Sequence, residues 1–267
     1  MKKVYLDNNI LVDIENGPYR IEEFLTNPHV LYYYSDAHLN ELLEAKGNQK
    51  VSQDGRLDLI SQLCGKNYIC SGAITVPGFL EKDCREMYKL ADNPLRTFIN
   101  QVVARGVDPL GMIRETLGFE SKDFNNEKAE NVLGIIDGRM KEKLGMGLLD
   151  YLNKTGAFGR ALYGTLMNIV DMANYWGDVK TDHSEVARLS DASHAYSAQI
   201  CDVLVTNDKR MRAKVKAVYS FLGVKTEVVS GREYLEQLSA DSKLEAMRAE
   251  EAAGNNKGGL AQRLIEY

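Results

Sequence analysis

Four acidic residues stand beside short apolar runs near the two ends of this 267-residue chain. Four carboxylates that meet in one cleft repel each other strongly unless they are protonated or bridged by cations. Mg²⁺ and Mn²⁺ resolve this repulsion because both ions prefer oxygen ligands. Such ions activate water, orient a phosphate and stabilise the leaving oxygen, so they indicate phosphodiester hydrolysis. The four acids are Asp7, Glu41, Asp191 and Asp208.

Three of these acids are placed near one edge of a predicted sheet. Asp7 directly follows the apolar run 3–6, and Asp208 lies two residues after the run 203–206. Glu41 lies about two turns into the helix predicted after the second strand. Ligand sites in sheets of this kind form beyond the carboxyl ends of the strands. We therefore expect the strands at 3–6 and 203–206 to be neighbours and their acids to share a cleft.

Asp191 is the candidate for the remaining acid. It opens the helix predicted for 191–200, which leads into the run 203–206, and its side chain can point to the same edge. Asp182 and Asp202 are alternatives for this position. The residues themselves leave the choice among the three open.

Each of the four acids also has a structural alternative to metal binding. Asp7, Asp191 and Asp208 each stand at the start of a predicted helix, where aspartate is a common N-cap. Glu41 would then be a solvated residue of its helix, like its neighbour Glu44. The metal hypothesis therefore requires that the four side chains converge.

The order of predicted elements divides the chain into a discontinuous α/β core and a helical insertion. Residues 1–47 follow a strand, helix, strand, helix pattern, and an α/β pattern returns over 181–239. Helix-like apolar spacing dominates 48–180, where 68–76 carries the main strand signal. Residues 240–267 indicate a helix followed by a flexible tail. We expect three layers, α/β/α, around a central parallel sheet.

Three segments resemble the PIN-domain nuclease family. The opening VYLDNNIL, residues 4–11, is similar to the family's hydrophobic strand followed by Asp, any residue and Asn. SDAHLNEL, residues 35–42, resembles its Ser, five residues, Glu helix. The blocks DASHAYSA and CDVLVTND, 191–198 and 201–208, are similar to its Asp, helix, strand, Thr-x-Asp ending. The stretch between the second and third acids is much longer than in compact members of the family.

The resemblance implies a PIN-like fold and a metal-dependent endoribonuclease that hydrolyses RNA phosphodiester bonds with Mg²⁺ or Mn²⁺. It implies that the four acids named above bind the metal and act in catalysis, supported by three polar residues. Many members of the family are toxins of toxin-antitoxin pairs, so the resemblance also raises an antitoxin protein as a partner. The supporting residues are Asn9, Ser35 and Thr206.

Two other functions are compatible with these residues. A PIN-like fold can persist as a catalytically inactive scaffold that binds nucleic acid or a protein partner. A phosphatase that used Asp7 as its nucleophile would normally need a second Asp two residues on, where the chain has Asn9. The insertion could shape substrate access or mediate a homodimer.

A basic run directly after Asp208 is the candidate for contact with the RNA backbone. Such runs are usually solvated helix faces, but its place beside the expected cleft raises the case for phosphate contact. His194 lies one turn from Asp191, and we expect it to pack or hydrogen bond, because Mg²⁺ sites disfavour imidazole. His29, His38 and His183 lack zinc-type spacing. The basic residues are Lys209, Arg210, Arg212 and Lys214.

The composition is that of an ordinary globular protein, and its net charge of -5 argues against a protein that coats nucleic acid by its overall field. The four cysteines include no CxxC pair, and we expect reduced thiols. Residues 1–11 show no signal-peptide core, and no stretch approaches the roughly 18 apolar residues of a membrane span. We therefore expect a cytoplasmic protein without membrane contact.

Overall fold

Apolar runs from both ends of the chain form neighbouring strands of one sheet in the computed structural model, which describes residues 1–46, 52–71, 76–92, 122–176, 184–244 and 247–248. The described strands are rich in Val and Tyr, which suit a buried pleated surface. They are β1 (Lys2–Leu6), β2 (Val30–Ser35), β3 (Asn67–Cys70), β4 (Gly78–Glu81), β5 (Val203–Val205) and β6 (Glu227–Val229). Their order across the sheet is β4-β3-β2-β1-β5-β6.

Strand β1 lies inside the sheet and pairs in parallel with both β2 and β5. Leu6 lies opposite Val205, which confirms that the strands from the two ends of the chain are adjacent. The pairs β2-β3 and β5-β6 are also parallel, but β4 runs antiparallel to β3. The sheet is therefore mixed, whereas the sequence predicted a wholly parallel sheet. The connection between β3 and β4, residues 71–77, is too short for the crossover that a parallel pair needs.

Helices cover both faces of this sheet, so the fold is α/β. Tyr5 and Leu204 point into one hydrophobic cluster, whereas Val4, Leu6 and Val205 point into a second one. This alternation is what strands with two buried faces require. The helices are α1 (Asn8–Asn16), α2 (Ile21–Phe24), α3 (Asp36–Glu44), α4 (Gln53–Cys64), α5 (Cys84–Ala91), α6 (Ala129–Leu144), α7 (Leu148–Thr155), α8 (Arg160–Met172), α9 (Ser184–Ala198), α10 (Lys209–Leu222) and α11 (231–244), with a 3₁₀ helix at Lys122–Asn126.

The segment 48–180, expected to be a helical insertion, has two parts that differ in structure. Its first described part, 52–92, contributes β3 and β4 to the central sheet, and α4 packs beside β2 in the second cluster. The described helices of 122–172 pack with α10 on the other face. The core therefore extends beyond residue 47, because β3 pairs with β2 and buries Tyr68 and Ile69.

Helix α9 begins at Ser184, seven residues before the predicted start. Asp191 therefore lies within the helix and does not serve as its N-cap. Its rival Asp182 lies outside the described residues, as do 249–267 of the predicted tail. The four cysteines are free, and no helix in the described part of the chain is both long and apolar enough to span a bilayer.

Candidate active site

Asp7 lies at the carboxyl end of β1, where the chain turns directly into α1. Only 5% of its surface is exposed, and its carboxylate accepts a 2.8 Å hydrogen bond from the Asn8 backbone N–H as the N-cap of α1. Burial raises the pKa of Asp7, the charge of His194 lowers it, and the charge of Glu41 raises it further. The net direction is upward, so this carboxyl group holds its proton more tightly than an exposed aspartate does.

Two residues that the sequence named as supporting groups hold the Asp7 carboxylate. The Thr206 hydroxyl donates to Asp7 Oδ2 at 2.8 Å, and the Asn9 amide donates to the same oxygen. Asn9 also donates to Thr206 Oγ1 at 2.9 Å, and its own Oδ1 accepts from the Asn207 N–H at 3.0 Å. Asn9 and Thr206 therefore fix Asp7 at the junction of β1 and β5.

Asp208 lies just after β5, beside the same pair of strands. Its Oδ1 caps α10 by accepting from the backbone N–H groups of Arg210 and Met211 at 2.7 and 2.9 Å. Its own N–H donates to Thr206 Oγ1 at 3.2 Å, the hydroxyl that also contacts Asp7. Asp208 is exposed, so one carboxylate serves as a helix cap and still faces solvent at the sheet edge.

Glu41 reaches the site from α3 and is held by donors from two other helices. Its Oε1 accepts from the Ser190 hydroxyl and from His194 Nε2, the latter at 3.0 Å, and its Oε2 accepts from the Asn8 amide. Burial alone would raise the pKa of Glu41. The His194 charge and these hydrogen bonds outweigh burial and lower the pKa to about 2. Glu41 is therefore ionised at neutral pH.

His194 lies between the two carboxylates that come from the amino-terminal half. Its Nε2 is 3.0 Å from Glu41 Oε1 and 3.6 Å from Asp7 Oδ1, and its Nδ1 is 2.8 Å from the Tyr5 hydroxyl. Burial lowers the pKa of His194, but the charges of Glu41 and Asp7 outweigh burial and raise it to about 9. His194 is an imidazolium at neutral pH that donates from both nitrogens, which confirms a hydrogen-bonding role.

His38 has the opposite ionisation state to His194. Its Nε2 lies 2.7 Å from the Leu6 carbonyl, and its Nδ1 accepts the Ser35 N–H at 3.1 Å, a pattern that requires the neutral ring with a proton on Nε2. Burial and the charge of His194 lower the pKa of His38 to about 3. The two rings meet edge to face, with centroids 5.0 Å apart. A charged imidazole, that of His194, therefore contacts a neutral one, that of His38.

Ser35 has a structural role and does not contact the acids named here. Its side chain caps α3 by accepting from the Ala37 N–H at 3.2 Å, and it shares a 2.6 Å hydrogen bond with the Tyr5 hydroxyl. Burial raises the pKa of Tyr5 well above its ordinary value. Ser35 therefore supports the tyrosine that holds His194, one step away from the carboxylates.

Asp191 faces the same region from within α9. Burial raises its pKa, the charge of Lys214 lowers it, and the charges of Asp7 and Asp208 raise it further. The balance leaves the pKa well above its ordinary value. Asp191 thus shares its electrostatic surroundings with the acids that follow β1 and β5, as the metal hypothesis requires.

The basic run divides into a surface part and a buried part. Lys209 and Arg210 are exposed, and the Arg212 guanidinium donates to the Thr206 carbonyl at 3.0 Å. Lys214 is fully buried, and its ammonium is 3.2 Å from Asp171 Oδ1 on α8. The sequence prediction that Lys214 contacts RNA is therefore wrong, because this ammonium faces the interior of the molecule.

The acids fit a hard cation in their chemistry better than in their spacing. Carboxylate oxygens suit Mg²⁺ and Mn²⁺. Burial is the main cause of the raised pKa of Asp7 and of Asp191, and a cation would relieve the carboxylate repulsion that adds to it. Across the described ranges, however, no group of three or more His, Cys, Asp or Glu side chains is arranged to hold a metal ion. His194 supplies the positive charge between Asp7 and Glu41 in this arrangement.

Sequence reasoning missed several residues that build the site. Tyr5, Asn8 and Ser190 make hydrogen bonds that position His194 or Glu41. His38 hydrogen bonds to the Leu6 carbonyl and packs edge to face against His194. Asn8 could have been noticed in the sequence, because it lies between the two motif residues Asp7 and Asn9. The others gave no signal, because a tyrosine in a buried strand and a histidine at a helix start are usually packing residues.

Comparison of the chain with protein-family models, with curated proteins and with solved structures finds no match. The case for a function therefore rests on the chemistry and the geometry of the site itself.

Proposed function

We propose that this chain is a metal-dependent endoribonuclease of PIN type that hydrolyses RNA phosphodiester bonds. One observation carries the proposal: Asp7 and Asp208 follow adjacent parallel strands, where Thr206 Oγ1 donates to the Asp7 carboxylate and accepts the backbone N–H of Asp208. The charges of both acids add to burial in raising the pKa of Asp191. Asp7 and Asp208 thus lie at the edge formed by the carboxyl ends of these strands, where ligands bind in this class of fold.

In this proposal Asp7, Glu41, Asp191 and Asp208 hold Mg²⁺ or Mn²⁺. The ion, when bound, would activate water and neutralise charge on the scissile phosphate. The chain's own groups prepare the carboxylates. Asn9 and Thr206 orient Asp7, and Asn8, Ser190 and His194 orient Glu41.

Substrate binding in this proposal uses the exposed start of α10. Lys209 and Arg210 lie next to Asp208 on the surface, so they are placed for contact with the backbone of a bound RNA. Such contacts position the substrate without reading its sequence. The proposal keeps the cytoplasmic setting expected from the sequence, and the family resemblance adds an antitoxin as a protein partner. A homodimer mediated by the predicted insertion, 48–180, is a further element of the proposal.

A catalytically inactive scaffold is the second candidate function. The observation that favours it is His194, which already neutralises Asp7 and Glu41 from within the protein. A scaffold of this kind would bind nucleic acid or a protein partner and would have no need of an ion.

Incubation of the purified protein with mixed RNA and DNA in Mg²⁺, Mn²⁺ or EDTA separates the two candidates. The nuclease cuts RNA with either cation and not with EDTA. Asp191→Asn should reduce the rate by orders of magnitude, because the charge that holds the ion is lost. Glu142→Gln, at an exposed acid of α6, is the matched control and should cut at the wild-type rate. If the RNA stays uncut under every condition, the nuclease proposal fails and the inactive scaffold is the remaining candidate.

A further inference from the structure

Arg56 on α4 is a buried cation within hydrogen-bonding reach of the candidate active site. Only 4% of its surface is exposed, and a guanidinium stays charged at all ordinary pH values. A buried charge of this kind is costly unless partners satisfy it. Arg56 forms a bidentate ion pair with Glu15, in which Nε and Nη2 are each 2.6 Å from a carboxylate oxygen.

The remaining arm of Arg56 contacts Asn8. Arg56 Nη1 donates to Asn8 Oδ1 at 2.6 Å, and the Asn8 Nδ2 donates to Glu41 Oε2. An amide side chain presents an acceptor at one end and donors at the other. Because Arg56 holds the acceptor end, the donor end of Asn8 must face Glu41. A 180° rotation of this amide would place its oxygen against the carboxylate and repel it.

We propose that Arg56 is a positioning residue of the active site, which acts through Asn8 to hold the Glu41 carboxylate in place. This inference rests on the proposed function, in which Glu41 is an active-site acid. The inference gives the first part of the predicted insertion a role in the site, because α4 supplies Arg56, which contacts Asn8. The bidentate pair with Glu15 fixes the guanidinium plane, so that its third nitrogen points at Asn8.

Arg56→Met tests the proposal, with Arg85→Met as the matched control. Arg85 also forms ion pairs with two carboxylates of α4, Asp54 and Asp58, but on the surface. The first readout is the pKa of His194, measured by NMR of its ring nitrogens. The Glu41 charge beside Nε2 helps to hold that pKa at about 9.

The proposal predicts that Arg56→Met lowers the pKa of His194 by about one pH unit, since a displaced Glu41 stabilises the imidazolium less. Loss of the Arg56 charge alone would act in the opposite direction and raise that pKa. Arg85→Met should leave it unchanged. In an Asn8→Ala background, which already lowers the pKa, Arg56→Met should lower it no further, because both changes remove the same link.

A second readout is RNA cleavage, where Arg56→Met should lower kcat about tenfold or more with little change in KM. Arg56→Lys keeps the charge but cannot span both partners, so it should show a smaller loss in both readouts and serves if Arg56→Met does not fold. An unchanged or raised pKa of His194, or a full further fall in the Asn8→Ala background, would overturn the proposal. If the wild-type protein cuts no RNA, the nuclease assignment fails, whereas the titration still decides the role of Arg56.

Discussion

The contact of His194 with Glu41 gives the stability of the molecule a defined pH dependence. Folding raises the pKa of His194 from 6.5 to about 9, so the folded chain binds this proton more tightly than the unfolded chain. The stabilisation is therefore complete below pH 6.5 and is lost as the pH rises through 9. The charged ring also keeps Glu41 ionised at low pH.

His194→Gln should remove this alkaline loss of stability. We expect the wild-type free energy of unfolding to exceed that of the variant by an amount that shrinks on the order of 2 to 3 kcal/mol between pH 6.5 and 9. Urea denaturation at several pH values measures the difference. A gap that stays constant or widens with rising pH would show that His194 is neutral in the folded protein.

Lys214 is a second residue whose environment decides what its replacement does. Its buried ammonium pairs with Asp171, so Lys214→Ala leaves a buried carboxylate without this partner. We expect a loss of about 3 to 5 kcal/mol in the free energy of unfolding. Lys216→Ala, on the exposed side of the same helix, should change it by less than about 0.5 kcal/mol. Equal stability of the two variants in urea would contradict the buried pair.

At the scale of elements, Asp208 serves both α10 and the acidic edge of the sheet. As the N-cap of α10 it accepts two backbone N–H groups, a role that asparagine performs as well as aspartate. In the proposed function it must also keep its charge, which asparagine lacks. Two substitutions at this one position can therefore separate the two roles.

Asp208→Asn should leave the free energy of unfolding within about 0.5 kcal/mol of the wild type, whereas Asp208→Ala should lower it by about 1 kcal/mol through loss of the cap. Both variants should lose RNA cleavage to the same extent, since both remove the charge. Thermal or urea unfolding and a cleavage assay supply the two measurements. Normal cleavage by Asp208→Asn would make the residue a cap and nothing more.

The elements also show what local pattern can and cannot predict. The strands β1, β2 and β5 could be predicted from the sequence because each is a short apolar run bounded by polar residues. The start of α9 was predicted wrongly, because aspartate at 191 is a common N-cap residue, whereas the helix begins at Ser184 and continues through Asp191. The pairing of β3 with β2 depends on contacts between distant segments, which sequence spacing does not contain.

At the scale of the whole molecule, the sequence predicted that the strands before Asp7 and Asp208 are neighbours, but not which groups hold the carboxylates. Asp7 and Asp208 were placed correctly by the rule for the carboxyl ends of parallel strands. The network of His194, Tyr5 and Asn8 could not be predicted. Its members come from α9, β1 and α1, and only the folded chain brings their polar atoms together.

The net charge of -5 is also a property of the whole molecule. This overall charge disfavours RNA, so the RNA binding of the proposed function depends on how charge is distributed around one edge of the sheet. There Asp208 lies beside the exposed basic residues at the start of α10, Lys209 and Arg210. A bound divalent cation would lower the negative charge of that edge, and we expect RNA to bind more tightly when the cation is present.

The central claim is that Asp7, Glu41, Asp191 and Asp208 bind a divalent cation. A Mn²⁺ titration monitored by electron paramagnetic resonance tests it most directly, because the signal of free Mn²⁺ falls as the ion binds. We predict binding by the wild-type protein and by Glu142→Gln, and at least about tenfold weaker binding by Asp7→Asn, which loses one ligand charge. Urea unfolding without metal should show Asp7→Asn to be folded. No loss of the free signal with the wild-type protein, or equal binding by Asp7→Asn, would contradict the claim.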